Sequence, residues 1–106
     1  MALEATERIR VRGEMVSGFE VEEVALFNQG MEDAAAIGVP AALGEEDIRL
    51  FVTLKPGVGL TEEDIRAHCR SVMVKFKVPA IVTILEEIPR TVTGKPEKGK
   101  LAALSV

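Results

Sequence analysis

Apolar and charged residues alternate in Arg8-Ile9-Arg10-Val11-Arg12, and the alternation stops at Gly13. A period of two is the pattern of a strand with one wet face, so this stretch and its turn predict a hairpin-like segment near the start of the chain. Ser17-Gly18-Phe19-Glu20 has the spacing of a capping box, and Val21, Val24 and Ala25 follow at helical spacing. Together they predict a short helix over residues 19–27, broken by Asn28-Gln29-Gly30. Residues 33–39 read Asp-Ala-Ala-Ala-Ile-Gly-Val between Gly30 and Pro40. Alanine favours helix, but the run is short and punctuated at both ends, so a buried strand is expected. Residues 40–47 read as a loop. Ile48, Leu50, Val52 and Leu54 then share one face of a second strand, closed by a Pro56-Gly57 turn. Thr61 with Asp64 three residues on starts the clearest helix, whose apolar stripe is Ile65, Cys69, Val72, Met73 and Phe76, with Pro79 blocking continuation. Residues 80–85 form a β-branched strand, and 98–104 fit a last short helix.

This order predicts an α+β domain: a small mixed sheet of about three main strands plus the hairpin-like segment, with helices packed on the sheet. It spans residues 8–106, after a tail at 1–7. Apolar residues make up 47 % of the 106 and aromatics 4 %, so the core must be built from Val, Ile, Leu, Ala and four Phe. The net charge of −4 argues against nucleic-acid binding by the whole chain. The charge is uneven, however. From Arg90 onward, Arg90, Lys95, Lys98 and Lys100 face one acid, Glu97, leaving +3 there and −7 elsewhere. A basic end on an acidic body suggests a local anion site. One cysteine, Cys69, excludes an internal disulfide and fits a reducing, cytoplasmic setting. Cys69 and its neighbour His68 do not make a metal site, and on a helix they read as packing positions. No apolar run is long enough to span a membrane.

The chemistry concentrates in Pro89-Arg90-Thr91-Val92-Thr93-Gly94-Lys95, which lacks hydrophobic periodicity and reads as a shaped, exposed loop. Gly94 lets an anion come close to the main chain. Lys95 offers a compact charge with three donors. Such a loop can hold an anion while charge moves on it, although a plain surface turn would look the same over seven residues.

With Phe76-Lys77-Val78-Pro79 ahead of it, that loop resembles the C-terminal domain of the adenylate-forming enzymes, a superfamily of acyl-CoA synthetases, nonribosomal adenylation domains and firefly luciferase. Further segments agree in order and spacing: Arg12-Gly13-Glu14 with Val16-Ser17 and Glu20-Val21-Glu22; Ala35-Ala36-Ile37-Gly38-Val39-Pro40; Leu60-Thr61-Glu62-Glu63 leading to His68-Cys69-Arg70; and Lys98 with a leucine helix after Lys95. The first of these is most similar to acyl-CoA ligases of the carnitine and crotonobetaine type. The pattern departs from the family at Met15, at Gln29-Gly30, at Gly99, and at residues 3–6, where the usual Asp–Arg pair before the hinge is missing.

The resemblance implies a reaction in two steps. ATP, with Mg, and a carboxylate form an acyl-adenylate; a thiol, usually coenzyme A, then displaces AMP. It implies a mobile lid that is inactive alone and works with an N-terminal adenylation domain, in cis or in trans, which binds most of the ATP and coenzyme A. Lys95 matches the adenylation lysine, with Thr91, Thr93 and Gly94 shaping its loop. Gly13 matches the loop facing the site in the thioester step, with Glu14 beside it and Arg10 and Arg12 placed to meet phosphates. Lys98 and Lys100 read as solvated helix charges. The alternative is a free-standing binding module that keeps the lid fold without the chemistry.

Overall fold

The computed structural model describes residues 8–27, 30–94 and 97–104, with Lys98 described in its backbone only. The chain runs β1 (Arg8–Val11), β2 (Glu14–Ser17), α1 (Gly18–Leu26), β3 (Met31–Pro40), β4 (Glu46–Leu54), α2 (Glu62–Val72), β5 (Ile81–Ile84) and α3 (Lys98–Leu104), with short 3₁₀ turns at Ala42–Gly44 and Lys75–Lys77. β1 and β2 form an antiparallel hairpin with Val11 opposite Glu14. A separate mixed sheet has the order β3-β4-β5, antiparallel on one side of β4 and parallel on the other. The α+β class and the small mixed sheet are as the sequence predicts. The tail at 1–7 lies outside the described residues.

β4 is buried on both faces. Ile48, Leu50 and Val52 join Ile9, Val21, Ile65 and Cys69 in the larger core, beneath the hairpin, α1 and α2. Phe51 faces the other way and packs with Ala35, Ile37, Ile88 and Leu101. Leu101 is fully buried, and it fixes α3 to that second face. β3 uses small residues for the same double duty, with Ala34 and Ala36 on one side and Ala35 on the other.

Three local expectations need correction. The loop expected over residues 40–47 is shorter, covering 41–45. β3 runs through Pro40, β4 starts at Glu46, and Ala41 N donates to Glu45 O at 2.9 Å across a tight reversal. Pro40 is tolerated because β3 is an edge strand. Ser17 does stand at the N-terminus of α1, but its side chain makes no capping bond. Glu20, the other half of the expected capping box, is instead drawn into an ion pair with Lys77 at 2.6 Å. The apolar stripe of α2 also outruns the helix. The helix stops at Val72, which is 56 % exposed, and Met73 is already extended. The chain leaves early to bring Pro79 under the sheet, where Arg66 Nε donates to Pro79 O at 3.2 Å and Ala80 N donates to Ile48 O at 2.9 Å. Finally, β3 carries a bulge between Met31 and Asp33 that nothing in the sequence pattern announces.

The start of α2 is as expected. Thr61 Oγ1 accepts from Asp64 N at 3.1 Å and Asp64 Oδ2 accepts from Thr61 N at 2.9 Å, a complete capping box. Hydrogen bonding from the Thr61 backbone N–H foremost, and from the Thr61 side chain after it, holds the Asp64 carboxyl below its ordinary value of 3.8. The Arg70 hydrogen bond and charge likewise lower Glu63. A depressed carboxyl stabilises the fold above its unfolded value, and that contribution is lost as pH falls through the folded value. Thermal stability should therefore fall as pH drops from about 5 to below 3.8, and Asp64→Asn should flatten part of that slope in melts followed by circular dichroism. At neutral pH, Thr61→Ala should cost about 1 kcal/mol in chemical denaturation, as for loss of a helix cap.

Gly38 is the point where the hairpin meets the sheet. A Cβ there would lie 2.8 Å from Glu46 Oε2 and 3.1 Å from Ile9 Cγ2. The Glu46 carboxylate is itself engaged, since its Oε1 accepts from Arg10 N at 2.9 Å. Gly38→Ala should therefore displace that carboxylate and destabilise the domain by about 1–2 kcal/mol. In a denaturation cycle the effect should shrink in a Glu46→Ala background, because the two changes act on one contact.

Candidate functional site

Two clusters of the residues singled out by sequence occupy opposite faces of the three-stranded sheet. The first gathers at the β1–β2 hairpin, on the face of the larger core. Arg12 and Gly13 are its two turn residues, with φ of 50° and 81°. Positive φ at both positions is what a two-residue type I′ turn requires. Glycine takes it freely, while for Arg12 it costs roughly 1 kcal/mol. Glu45 helps to hold the turn, its Oε1 accepting from Gly13 N at 3.1 Å. The Gly13 amide is thus already satisfied within the domain, yet the space where a Cβ would stand is open, with nothing within 4 Å. Ile9 and Val11 are buried while Arg8, Arg10 and Arg12 lie exposed, as the period of two predicts. Glu14 is exposed beside the turn.

Next to the turn, a cleft of about 440 Å³ runs between the hairpin and the C-terminal half of α2. Its apolar lining includes Val11, Ile48, Met73, Phe76 and Pro79, and its charged lining is Arg12, Arg66, Arg70 and Lys75 against one acid, Asp47. Of the residues expected at this face, only Arg12 lines the cleft. Arg66 and Arg70 both pair with Glu63, at 3.5 and 2.6 Å, whereas Arg12 makes no ion pair among the described residues. Sequence reasoning did not assign the cationic side chains of α2 and of the 3₁₀ turn to any site. The α2 arginines are interleaved with acids along the chain, and that spacing alone does not show that they line a cleft.

The second cluster is the loop at residues 89–97, on the face that carries Ile88 and Leu101. Gly94 N donates to Thr91 O at 2.9 Å, closing a β-turn whose central residues are Val92 and Thr93. Val92 is fully exposed, Gly94 has φ of 88°, and Thr91 Oγ1 and Thr93 Oγ1 are 2.9 Å apart. Glu97 N donates to Pro89 O at 2.8 Å and ties the two ends of the segment together. Arg90 Nη1 donates to Gly94 O at 2.6 Å, while Arg90 Nη2 pairs with the Asp33 carboxylate on β3. Lys95 lies outside the described residues, as does the Lys98 side chain. Lys100 pairs with Glu97 at 3.3 Å. Thr91, Thr93 and Gly94 are therefore brought together as one loop, and Arg90 and Asp33 are partners that no local pattern could connect.

His68 and Cys69 take the packing role expected of them. His68 Nε2 lies 3.1 Å from Val24 O, and Cys69 is fully buried, which pushes its thiol pKa up, away from reactivity. Among the described residues, no group of three or more His, Cys, Asp or Glu side chains converges to hold a metal, and no helix is long and apolar enough to cross a membrane.

Residues 20–95 match the family model of the AMP-binding enzyme C-terminal domain. The chain is 40 % identical over 86 residues to the long-chain-fatty-acid–CoA ligase of Haemophilus influenzae, covering 76 % of this chain and 15 % of that one. It is also 40 % identical over 93 residues to the crotonobetaine/carnitine–CoA ligase of Proteus mirabilis, covering 88 % and 18 %. Among solved structures, the amide bond synthetase McbA of Marinactinospora thermotolerans superposes with a TM-score of 0.85 at 30 % identity, over 92 % of this chain and 20 % of that one. MatB of Rhodopseudomonas palustris superposes with a TM-score of 0.85 at 27 % identity, over 92 % and 19 %. The chain thus spans a fifth or less of the length of these relatives. With fold, motif order and matched span in agreement, it belongs to the AMP-binding enzyme C-terminal domain family.

Proposed function

We propose that this chain is the mobile C-terminal lid of an AMP-forming carboxylate–CoA ligase, working with an N-terminal adenylation domain and inactive alone. The observation that carries the reading is the placement of the two clusters on opposite faces of one small sheet. A domain with two chemically distinct faces can serve two successive steps by turning, each face meeting the partner domain in its own step.

For the adenylation step, Lys95 supplies a cation where a carboxylate approaches a triphosphate and like charges must come together. Thr91, Thr93 and Gly94 give shape to the turn that precedes it in the chain. For the thioester step, the chemistry of the cleft suits coenzyme A. Arg12, Arg66, Arg70 and Lys75 match its phosphates, and the apolar lining beside them matches a pantetheine arm. The open space at Gly13 leaves room for that arm to pass. Arg10 and Glu14 flank this path from the hairpin. Mg accompanies ATP as its counter-ion and is held mainly by the partner domain.

The test is to join this chain to the N-terminal domain of a crotonobetaine/carnitine–CoA ligase and follow the two half-reactions separately. Lys95→Ala should slow carboxylate-dependent pyrophosphate release by roughly 10²–10³, the usual loss for one preorganised charge donor, and leave thioester formation from supplied acyl-adenylate much less affected. Equal loss in both would overturn the assignment. Full tolerance of Lys95→Ala would return the chain to a non-catalytic docking module.

A further inference from the structure

The turn at residues 91–94 is held from outside itself. Arg90 reaches two ways: Nη1 donates to Gly94 O at 2.6 Å and Nη2 pairs with Asp33 Oδ2. Asp33 is in turn fixed by its own strand, because its Oδ1 accepts from Ala34 N at 2.9 Å. Both side chains are about one-third exposed, so the pair is only partly open to screening by solvent.

Asp33 reaches this face because of the β3 bulge. In the ladder Met31 stands opposite Leu54 but Asp33 stands opposite Thr53, so two residues of β3 oppose one of β4. In an unbroken strand, Met31 and Asp33 would point to the same side. Here Met31 packs into the larger core with Ala34 and Ala36, while Asp33 shares the opposite face with Ala35 and Ile37. The extra residue, Glu32, reverses the phase, which is the known use of a bulge to re-aim a side chain. We infer that Asp33 and Arg90 are positioning residues that brace the adenylation loop to the sheet through the Gly94 carbonyl.

The geometry gives the brace its purpose. The Gly94 carbonyl belongs to the planar peptide unit that leads out of the turn toward the next residue of the chain. Holding that oxygen restrains the plane as a whole. The turn's own bond, Gly94 N to Thr91 O, sets its shape but not its position on the domain. Arg90 and Asp33 add a side-chain tie to the sheet, beside the backbone bridge that Arg90 makes. Lysine cannot replace Arg90, since one ammonium lacks the fork that spans a carboxylate and a carbonyl in different directions. The inference rests on the proposed role of Lys95 for its functional half, while its structural half stands independently.

The test reads both halves. In the 106-residue chain, amide hydrogen exchange of Gly94 and Glu97 should quicken by about 10- to 100-fold in Asp33→Asn and in Arg90→Lys, the range set by losing a charge-assisted hydrogen bond. The amides of Leu50 and Val52 should keep their protection, which shows that the fold is intact. In the joined enzyme described above, the same variants should slow adenylation by at least about tenfold and leave thioester formation from acyl-adenylate unchanged. Unaltered exchange at Gly94 and Glu97 would overturn the brace, whatever Lys95 does. Faster exchange with normal adenylation would overturn the positioning role, and the separate Lys95→Ala result would then say whether the loop is catalytic at all.

Discussion

Everything in this domain depends on one strand with no outside. β4 buries Ile48, Leu50 and Val52 on one face and Phe51 on the other. Each such side chain is worth about 1.5–3 kcal/mol when removed from water, so neither face of β4 can be left uncovered. A chain of 106 residues has few elements with which to cover two faces. The hairpin, α1 and α2 take one side, and the segment from Ile88 through α3 takes the other. The separation of the two candidate surfaces follows from this. The Gly13 turn and the 91–94 loop are both attachments to covering elements, and the covering elements must lie on opposite sides.

The second theme is the use of acids against backbone. Glu22 on α1 accepts from Ala36 N on edge strand β3, and Glu62 on α2 accepts from Ile84 N on edge strand β5. Glu46 and Glu45 take Arg10 N and Gly13 N of the hairpin. An edge strand offers unpaired donors that would otherwise invite another chain, and a carboxylate delivered by a helix blunts it. Part of the chain's negative excess is thus spoken for inside the fold. Of the cationic side chains that line the cleft, Arg66 and Arg70 share Glu63, and Asp47 is the one acid in the lining itself.

The sequence made some of this legible and hid the rest, for physical reasons that differ by residue. β4 and the start of α2 could be read because their signals are local: alternation over Ile48, Leu50 and Val52, and a cap completed within four residues by Thr61 and Asp64. The Ser17 box failed because the same spacing is only permissive, and Glu20 had a stronger partner 57 residues away in Lys77. The end of α2 at Val72 was hidden because the apolar stripe continues through Met73 and Phe76, which pack on the same core after the chain has left the helix. The bulge at Glu32 was invisible, since two phases of a short alanine-rich strand look alike when both faces are buried. The family was legible where periodicity was silent. Motif order through Pro89 and Gly94 carries information about family membership that hydrophobic pattern does not encode.

The bulge joins these themes. A two-faced strand such as β3 has no spare position for a polar side chain, because Ala34, Ala35, Ala36 and Ile37 in succession are all buried. Only its end can bear a charge, and there Met31 is needed by the larger core. One inserted residue resolves the conflict: Met31 stays inside and Asp33 turns to the face where Arg90 waits. The turn at residues 91–94, whose Val92 is fully exposed, then acquires a side-chain tie to the sheet. On the proposed reading, that is what Lys95, next in the chain, requires, since a cation helps a transition state only if its position is set before charge develops.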